Sequence, residues 1–302
     1  NEGNINGAID TVKPGVNFVT LTVPKGEKMA YIEEGAKSLL LLRRNATYRI
    51  TKTVHVSDDS GNPHIKYEAE LVLQEEKALD FKNDVEKARK WGEDYYQRWK
   101  PELSQEEIQL IEKYTGGGYN EINAYLSDLK KWEVEYGKGS KDKQNLQKTN
   151  IQKKIEGIDA AINKTSVPDA MFVYRRVSEW QFGREAGDLR KNTDNTLNAT
   201  ILEEIIKTFS GQTFKQEGYM STSLAKDPDK SFSGNRYNIL LVVHIPKGTH
   251  AAYVANMTKY PEQLELLLQR GYTFKYDKFS VIKDEKFQES LRVDISLYNP
   301  TS

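Results

Sequence analysis

Residues 239–276 read ILLVVHIPKGTHAAYVANMTKYPEQLELLLQRGYTFKY and alternate between strand and turn signals. An aliphatic run ends at the turn sequence Pro246-Lys247-Gly248, and a run of leucines follows from Leu264. After an arginine and a glycine, Thr273 opens a third segment rich in aromatic residues. The stretch therefore predicts several short strands that are joined by turns and one longer loop.

The same pattern occurs near the start of the chain, where residues 17–50 read NFVTLTVPKGEKMAYIEEGAKSLLLLRRNATYRI. Pro24 and Tyr31 are seven residues apart, and so are Pro246 and Tyr253. Strand and turn patterns recur by chance, but the shared Pro-Lys-Gly and Ala-Tyr spacing favours two copies of one fold.

The two copies differ by four residues, which are missing from the loop of the first copy. Across this gap, Gln263 and Glu265 of the second copy align with Lys37 and Leu39 of the first. One copy thus has a carboxylate where the other has an aliphatic residue, as expected for a working domain and its inactive duplicate. The first copy covers only the rear half of such a domain, so we expect the front half to lie outside this chain.

Between the copies, apolar and aromatic residues recur at helical spacing. Trp91, Tyr95 and Trp99 form one stripe that we predict to be core. Ser104 and Glu107 have the spacing of a capping box at the start of the next helix. Helices are therefore predicted for this part of the chain.

The later part of the chain changes character. Residues 138–154 are rich in lysine, glutamine and asparagine and predict an exposed loop or a solvated helix. From Met171 the pattern is typical of strands, with one helix at 196–208. We predict an α+β chain with domains at 1–78 and 79–302.

Composition limits the possible functions. The 302 residues include 44 basic and 44 acidic side chains, so bulk charge gives no support for a nucleic-acid partner. The apolar runs are too short to cross a bilayer, and the first ten residues, NEGNINGAID, lack a signal-peptide pattern. Because the chain has no cysteine, it has no disulfide and no thiol chemistry.

Three short motifs carry residues suited to chemistry: Arg175 in MFVYRRVS, Ser221 in YMSTS, and the pair Gln263 and Glu265 in EQLEL. Taken alone, Arg175 is better explained by a structural ion pair at a strand end. Strand alternation predicts that Gln263 and Glu265 share one face, and for that pair alone a solvated sheet face is the better explanation.

Taken together and in this order, the three motifs resemble the mono-ADP-ribosyltransferase toxins of the Arg-Ser-Glu class. The segments WGEDYYQRW, YTGGGYNEINAYL, VYRR, YMSTS and LELLLQRG extend this resemblance over residues 80–302. Residues 1–75 resemble the inactive duplicate that precedes the catalytic domain in two-domain binary toxins. The resemblance implies the ADP-ribosyltransferase toxin fold, with a helical part and two packed, mainly antiparallel sheets around an NAD cleft, preceded by part of a degenerate copy.

The resemblance also implies roles for residues in the cleft. NAD would be the co-substrate, and no metal would be needed. Ser221 would hydrogen-bond Glu265, which would bind the ribose of NAD and stabilise the transition state. Arg175 and Arg176 would hold the diphosphate. Within residues 224–238, Phe232 would stack on nicotinamide and Arg236 would make a second phosphate contact.

A second set of implied roles concerns the target. Gln263 would meet the acceptor side chain of a host protein, and Tyr260 would contact the target beside it. In the family, Gln-x-Glu accompanies asparagine acceptors in single-domain Rho-modifying exoenzymes, whereas the two-domain frame is typical of actin-modifying enzymes. The resemblance therefore implies a cytoskeletal, adhesion or cytoskeleton-regulating target without naming it.

Delivery is implied in the same way. The resembling toxins are secreted by bacteria and act in the host cytosol. Their inactive domain binds a pore-forming translocation partner of the protective-antigen type. We therefore expect the first 78 residues to serve partner docking.

Three other functions compete with this interpretation. A metalloprotease needs a His-Glu-x-x-His helix, and the four histidines, His55, His64, His244 and His250, do not form one. An NAD glycohydrolase without a protein target stays open. A binding module without catalysis also stays open, although the Arg, Ser and Glu residues in one copy argue against it.

Overall fold

The structure is a computed structural model that describes residues 18–22, 30–34, 37–41, 47–57, 60–72, 78–190, 196–228, 239–283 and 288–298. Contacts divide the chain into two compact units, Asn1–Lys77 and Ala78–Ser302. Each unit has its own strand pairing.

The first unit contains five described strands. They are β1 (Phe18–Thr22), β2 (Ala30–Glu34), β3 (Lys37–Leu41), β4 (Thr47–Ser57) and β5 (Pro63–Val72). Strands β1, β5 and β4 form one sheet in that order, and β2 pairs with β3 as an antiparallel hairpin.

The second unit begins with helices, as predicted. The α-helices are α1 (Val85–Tyr96), α2 (Gln105–Lys113), α3 (Tyr119–Ser127), α4 (Leu129–Glu135), α5 (Lys141–Asn163) and α6 (Ala199–Phe209). A π-turn, Tyr114–Gly118, joins α2 to α3. Short 3-10 turns lie at Lys100–Glu102, Glu179–Phe182, Asp188–Arg190, Ala255–Met257 and Pro261–Gln263.

Eight paired strands make the sheet of this unit, in the order β10-β11-β8-β6-β9-β13-β12-β7. Their bounds are β6 (Met171–Val177), β7 (Thr213–Lys215), β8 (Met220–Ser223), β9 (Ile239–Ile245), β10 (Ala251–Tyr253), β11 (Glu265–Leu268), β12 (Thr273–Lys283) and β13 (Glu289–Leu297). The Tyr174–Ser223 pair joins a three-stranded part to a five-stranded part. The predicted α+β class is confirmed, and a mainly antiparallel sheet in two parts follows the helices.

The core lies between the helices and one face of the sheet. Val173, Val243 and Val293 are fully buried there, because β-branched side chains pack well on a pleated surface. Aromatic side chains from α6 and β12 extend this core, with the rings of Phe209 and Tyr276 5.7 Å apart. This packing holds the strands that carry the candidate site residues.

The helical predictions need one correction. Ser104 and Glu107 form the predicted capping box of α2. Of the predicted core stripe, Trp99 is buried and Trp91 packs against the core, but Tyr95 is 40% exposed and the neighbouring Tyr96 is buried instead. The polar stretch from residue 138 leads into the long helix α5, whose first part is mostly exposed, as the solvated-helix alternative predicted, and whose later isoleucines enter the core.

The strand pairings of the two units match residue for residue under the sequence alignment of the copies. Phe18 pairs with Lys66 in the first unit, as Leu240 pairs with Arg292 in the second. A bulge between Ile50 and Lys52 recurs between Tyr276 and Lys278. A one-residue slip would reverse every side chain, so a shared register and a shared bulge are strong signs of one repeated architecture.

The four-residue difference changes one connection. In the first unit, Tyr31 pairs with Leu40 and the hairpin continues through Ile32–Leu39 to Glu34–Lys37. In the second unit, Tyr253 pairs with Leu266, and the chain then leaves the ladder for two 3-10 turns. By this register, Leu39 occupies the place that Glu265 occupies in the second unit.

Candidate active site

Arg175 lies near the end of β6, and its guanidinium turns toward the neighbouring strand β8. Its Nη1 donates a hydrogen bond to the carbonyl oxygen of Ser221 over 2.7 Å. This contact fixes the orientation of the planar guanidinium, and because the group is rigid it also fixes the directions of its other N–H donors. Arg175 is thus held beside the Ser-Thr-Ser strand.

The three hydroxyl residues of β8 have three different partners. Ser221 Oγ donates to Glu265 Oε1 at 2.5 Å, which is the charge-assisted bond of the site. Thr222 points the other way, is buried, and donates to the carbonyl of Leu266 at 2.7 Å. Ser223 Oγ accepts the Ala225 N–H at 3.1 Å. One hydroxyl therefore orients the carboxylate, and the other two hold the backbone around it.

Glu265 opens β11 and is 8% exposed. Burial raises the pKa of its carboxyl group, because desolvation disfavours the charged form. The Ser221 hydrogen bond and the charge of Arg175 act in the opposite direction and lower that pKa. A poorly hydrated carboxylate held by a hydroxyl and a nearby guanidinium is suited to stabilising positive charge that develops next to it.

Gln263 is placed differently from the alternation argument. It ends the 3-10 turn Pro261–Gln263, and Leu264 then adopts a left-handed conformation with φ 50°. Because the strand begins only at Glu265, strand alternation does not set the direction of Gln263, and that reasoning was wrong. Tyr260 precedes this turn and is half exposed, at 50%.

Arg176 points away from Arg175, since successive residues of a strand face opposite sides. Its Nε donates to Asp227 Oδ1 at 2.9 Å, and a second guanidinium nitrogen bonds the same oxygen. Its part in phosphate binding stays a prediction, and such a phosphate would have to share it with Asp227. Phe232 and Arg236 lie outside the described residues, and their roles also stay predictions.

One aromatic residue near the site is not predicted by the sequence patterns, in which the YTGGGYN segment signals only a helix end. Tyr114, in the π-turn, is buried, and its Oη and the Asn123 side chain are hydrogen-bond partners. Burial raises the pKa of Tyr114, the hydrogen bond with Asn123 lowers it, and the charges of Glu265 and Arg175 raise and lower it, so this ring lies close enough to both to be affected by their charges. The triple glycine was the available signal, since Gly117 takes φ 122° in the turn that orients Tyr114.

A cavity of about 310 Å³ lies on the opposite face of the β6–β9 part of the sheet. Phe172 and Tyr174 line it, and they alternate with Arg175 along β6. The cavity therefore does not contain the cluster of Arg175, Ser221 and Glu265. Residue chemistry, not cavity size, locates the candidate site.

Within the described ranges, no group of three or more His, Asp or Glu side chains could hold a metal ion. No helix in that part of the chain is long and apolar enough to cross a membrane.

Comparison with known proteins settles the family. The sequence profile described as ADP-ribosyltransferase exoenzyme matches residues 88–299, which include every site residue discussed above. The chain belongs to the ADP-ribosyltransferase exoenzyme family. NAD is the co-substrate of this family, as the resemblance implied.

Solved structures of other exoenzymes agree with this. The chain is 35% identical to Plx2a, an ADP-ribosyltransferase toxin from Paenibacillus larvae; the match covers 73% of this chain and 100% of Plx2a with a TM-score of 0.61. It is 26% identical to BECa, an ADP-ribosylating toxin of a C. perfringens binary enterotoxin solved with NADH, over 95% of this chain and 66% of BECa, at a TM-score of 0.61. The predicted toxin fold is confirmed.

Curated relatives include the mono-ADP-ribosyltransferase C3 of Hathewaya limosa. It is 26% identical over 203 residues, which are 67% of this chain and 74% of the relative. The C3 enzyme of Clostridium botulinum D phage is 28% identical over the same shares. The family match, at residues 88–299, lies within the unit that carries Arg175, Ser221 and Glu265.

Proposed function

We propose that this protein is a bacterial toxin that transfers ADP-ribose from NAD to a host protein. The observation that carries this proposal is the contact of Ser221 Oγ with Glu265 Oε1 beside Arg175. In a family that uses NAD, a buried carboxylate fixed by a serine and flanked by a guanidinium suits cleavage of a glycosidic bond with a cationic leaving group.

The chemistry follows from charge. The bond between nicotinamide and the ribose carbon breaks, and its electron pair leaves with the neutral nicotinamide. The ribose carbon becomes oxocarbenium-like, and Glu265 stabilises the positive charge and accepts a hydrogen bond from the ribose 2′-hydroxyl. The acceptor side chain then forms the new bond to this carbon and loses a proton.

The remaining contacts of NAD are assigned by the resemblance. Arg175 binds the diphosphate through its planar fork. Arg176 is the second proposed phosphate contact, and it would have to share its guanidinium with Asp227 on the other side of β6. Phe232 stacks on the nicotinamide ring and Arg236 contacts a phosphate. The described residues support Arg175 most directly, because its guanidinium lies against the Ser221 strand.

The acceptor side of the site involves Gln263 and Tyr260. Gln263 lies two residues before Glu265 in a turn, and Tyr260 exposes half of its ring beside it. The Gln-x-Glu pattern favours an amide acceptor on a cytoskeletal, adhesion or cytoskeleton-regulating protein. Among two-domain toxins, this combination is most like certhrax.

The test is an incubation of the full chain with NAD labelled in the adenylate part, with and without host-cell lysate. We expect a labelled host protein, whose modified residue mass spectrometry then identifies. Release of nicotinamide without any labelled protein would instead favour an NAD glycohydrolase, and absence of both activities would favour a binding module.

Gln263→Ala is expected to spare NAD hydrolysis and to lower transfer to protein by about tenfold or more, the size of one lost hydrogen bond to a reacting group. Glu265 acts on the ribose while Gln263 faces the acceptor, so the two activities should separate. Both are measured on the same enzyme preparation. An equal fall of hydrolysis and transfer would place Gln263 in the NAD site.

The first unit is proposed to serve delivery to the host cytosol. Its hairpin has Leu39 in the register position of Glu265, and an aliphatic side chain can neither accept a ribose hydrogen bond nor offset positive charge. The match to BECa spans 95% of this chain, which supports a binary-toxin frame that extends through both units. A pore-forming partner of the protective-antigen type is the proposed docking partner.

The delivery proposal predicts that the assembled pore component binds the full chain at least about tenfold more tightly than it binds residues 79–302, because the docking surface is removed. Circular dichroism first shows that the shortened chain is folded. Leu39→Glu in the full chain should add no NAD cleavage, and it serves as the control for the inactive copy. Equal binding by the shortened chain would show that the first unit is not the delivery module.

A further inference from the structure

We propose that Asp159 is a positioning residue that fixes the Ser221–Glu265 pair from the far end of the β8–β11 ladder. The proposal deepens the function assigned above and rests on it. Asp159 lies on α5, outside the cleft, and nothing in the ordinary chemistry of the reaction requires it. Its proposed role follows from its contacts with residues next to both β8 and β11.

Asp159 binds residues that flank both catalytic strands. Tyr219, immediately before β8, has its Oη 2.8 Å from Asp159 Oδ1. Arg270, just after β11, donates its Nε to both carboxylate oxygens at 3.0 Å and its Nη2 to Oδ2 at 2.6 Å. A single carboxylate on one helix therefore holds the start of one catalytic strand and the end of the other.

The pairing of β8 with β11 explains how Asp159, at one end of the two strands, can affect Ser221 and Glu265 toward the other end. Met220 pairs with Leu268 at the Asp159 end, and Ser223 pairs with Glu265 at the catalytic end. Ser221 lies opposite Leu267, so its bond to Glu265 is a diagonal contact between residues that are not direct partners. Diagonal contacts depend on the twist and offset of the two strands, and Asp159 fixes both at the closed end.

A second helix contact reinforces the same end of β11. Gln269 Nε2 donates to Asn163 Oδ1 at 2.9 Å, one helical turn beyond Asp159. Ile158 and Ile162 anchor this stretch of α5, since both are fully buried. The carboxylate therefore projects from a rigid part of the helix, as a positioning group requires.

Tyr219 also transmits the position of Asp159 to the π-turn. Its ring meets the ring of Tyr114 edge-to-face, with centroids 5.2 Å apart. Tyr114 contacts Asn123, whose Oδ1 lies so close to Gly218 that a Cβ there would approach it to 2.5 Å. A shift of Tyr219 would therefore move Tyr114, whose ring is affected by the charge of Glu265.

The variants are chosen to separate positioning from general stability. Asp159→Asn keeps the shape of the side chain and removes the charge that binds Arg270. Glu107→Gln is the matched control, because Glu107 pairs with Lys164 at the end of the same helix over 2.7 Å. Its hydrogen bonds and its ion pair in the described part of the chain are with Ser104 and Lys164, not with β8 or β11. Tyr219→Phe is the second variant, since it removes only the hydroxyl group.

We expect Asp159→Asn to lower kcat for nicotinamide release by about tenfold to a hundredfold, the cost of a small misplacement of catalytic groups, with KM for NAD changed less than threefold. Tyr219→Phe should have a smaller effect and lower kcat by about twofold to fivefold. Glu107→Gln should keep kcat within twofold of the wild-type enzyme, even at an equal loss of thermal stability.

The pH profile gives a readout that general destabilisation does not move. Burial raises the pKa of Glu265, whereas the Ser221 hydrogen bond and the charge of Arg175 lower it, and the charge of Glu265 acts in turn on Tyr114. The Ser221 bond lowers the pKa of that carboxyl, so its loss should shift the acidic limb of kcat to higher pH in Asp159→Asn. The acidic limb should stay in place in Glu107→Gln.

Amide hydrogen exchange of the full chain tests the same link without any assay of activity. In Asp159→Asn, the amides of β8 and β11 should exchange faster, while those of β9 and β13 keep the wild-type rate. This result would stand even if the protein proved to be a binding module, so the two proposals can fail separately. Unchanged exchange in β8 and β11, or equal kcat losses in Asp159→Asn and Glu107→Gln, would overturn the assignment.

Discussion

Glu265→Gln should lower both NAD cleavage and ADP-ribose transfer by at least about a hundredfold, the scale of one lost transition-state charge contact. Glutamine has nearly the same volume and can still accept the Ser221 hydrogen bond, so the packing around residue 265 and the strand β11 should not change. The neutral amide cannot offset positive charge at the ribose carbon. Single-turnover kinetics with labelled NAD measure the loss, and calorimetry should show NAD affinity within a few-fold of wild type.

The same substitution has a second expected effect, on stability. Burial raises the pKa of Glu265 in the folded protein above the value in the unfolded chain. The folded state therefore binds the proton more tightly, and ionisation above that range lowers stability. Near neutral pH, Glu265→Gln should unfold at the same temperature as wild type or higher. A variant that is inactive and also strongly destabilised, or one with activity within a few-fold of wild type, would contradict the catalytic assignment.

Arg175→Lys should weaken NAD binding by about tenfold to a hundredfold, the range for a charged hydrogen bond that is lost in a binding site. Lysine keeps the positive charge but loses the planar fork that holds the Ser221 carbonyl and suits a phosphate. Arg175→Ala should weaken binding further, because the charge is also removed. Calorimetric titration of each variant with NAD measures both losses.

Arg176→Lys is the informative comparison for this result. Arg176 faces the other side of β6 and is paired with Asp227, so its change should cost less NAD affinity than the change of Arg175. Unchanged NAD affinity in both Arg175 variants would assign that residue to a structural ion pair. Equal losses at the two positions would mean that both guanidinium groups bind the diphosphate.

Local sequence patterns predicted the parts of this protein that depend on near neighbours. The capping box of α2 is set within four residues, so Ser104 and Glu107 were sufficient to place the helix start. The repeat of strands between the ends of the chain was visible because turn residues and apolar runs keep their spacing. The order of Arg175, Ser221 and Glu265 along the chain was enough to indicate the family.

Predictions failed where the direction of a single side chain depends on tertiary packing. Tyr95 and Tyr96 are both aromatic, and only the packing of α1 against Ala251, whose carbonyl accepts the Tyr96 hydroxyl at 2.9 Å, selects the buried one. Gln263 was assigned to a strand because its neighbours alternate. The left-handed Leu264 ends the turn there, and its side chain is fully buried, a tertiary condition that alternation does not contain.

The sequence by itself determined the chemical groups of this protein and their order, and it indicated two related copies, because these depend on residue type and spacing. The tertiary structure alone decided which groups meet. It placed Ser221 diagonally across from Glu265 and paired Arg176 with Asp227. It also brought Asp159 to Tyr219 and to Arg270, which lie 60 and 111 residues away along the chain. The physical reason is that strand register and helix packing are set by the burial of many side chains at once. These side chains come from distant parts of the chain, so no local stretch of sequence contains the information.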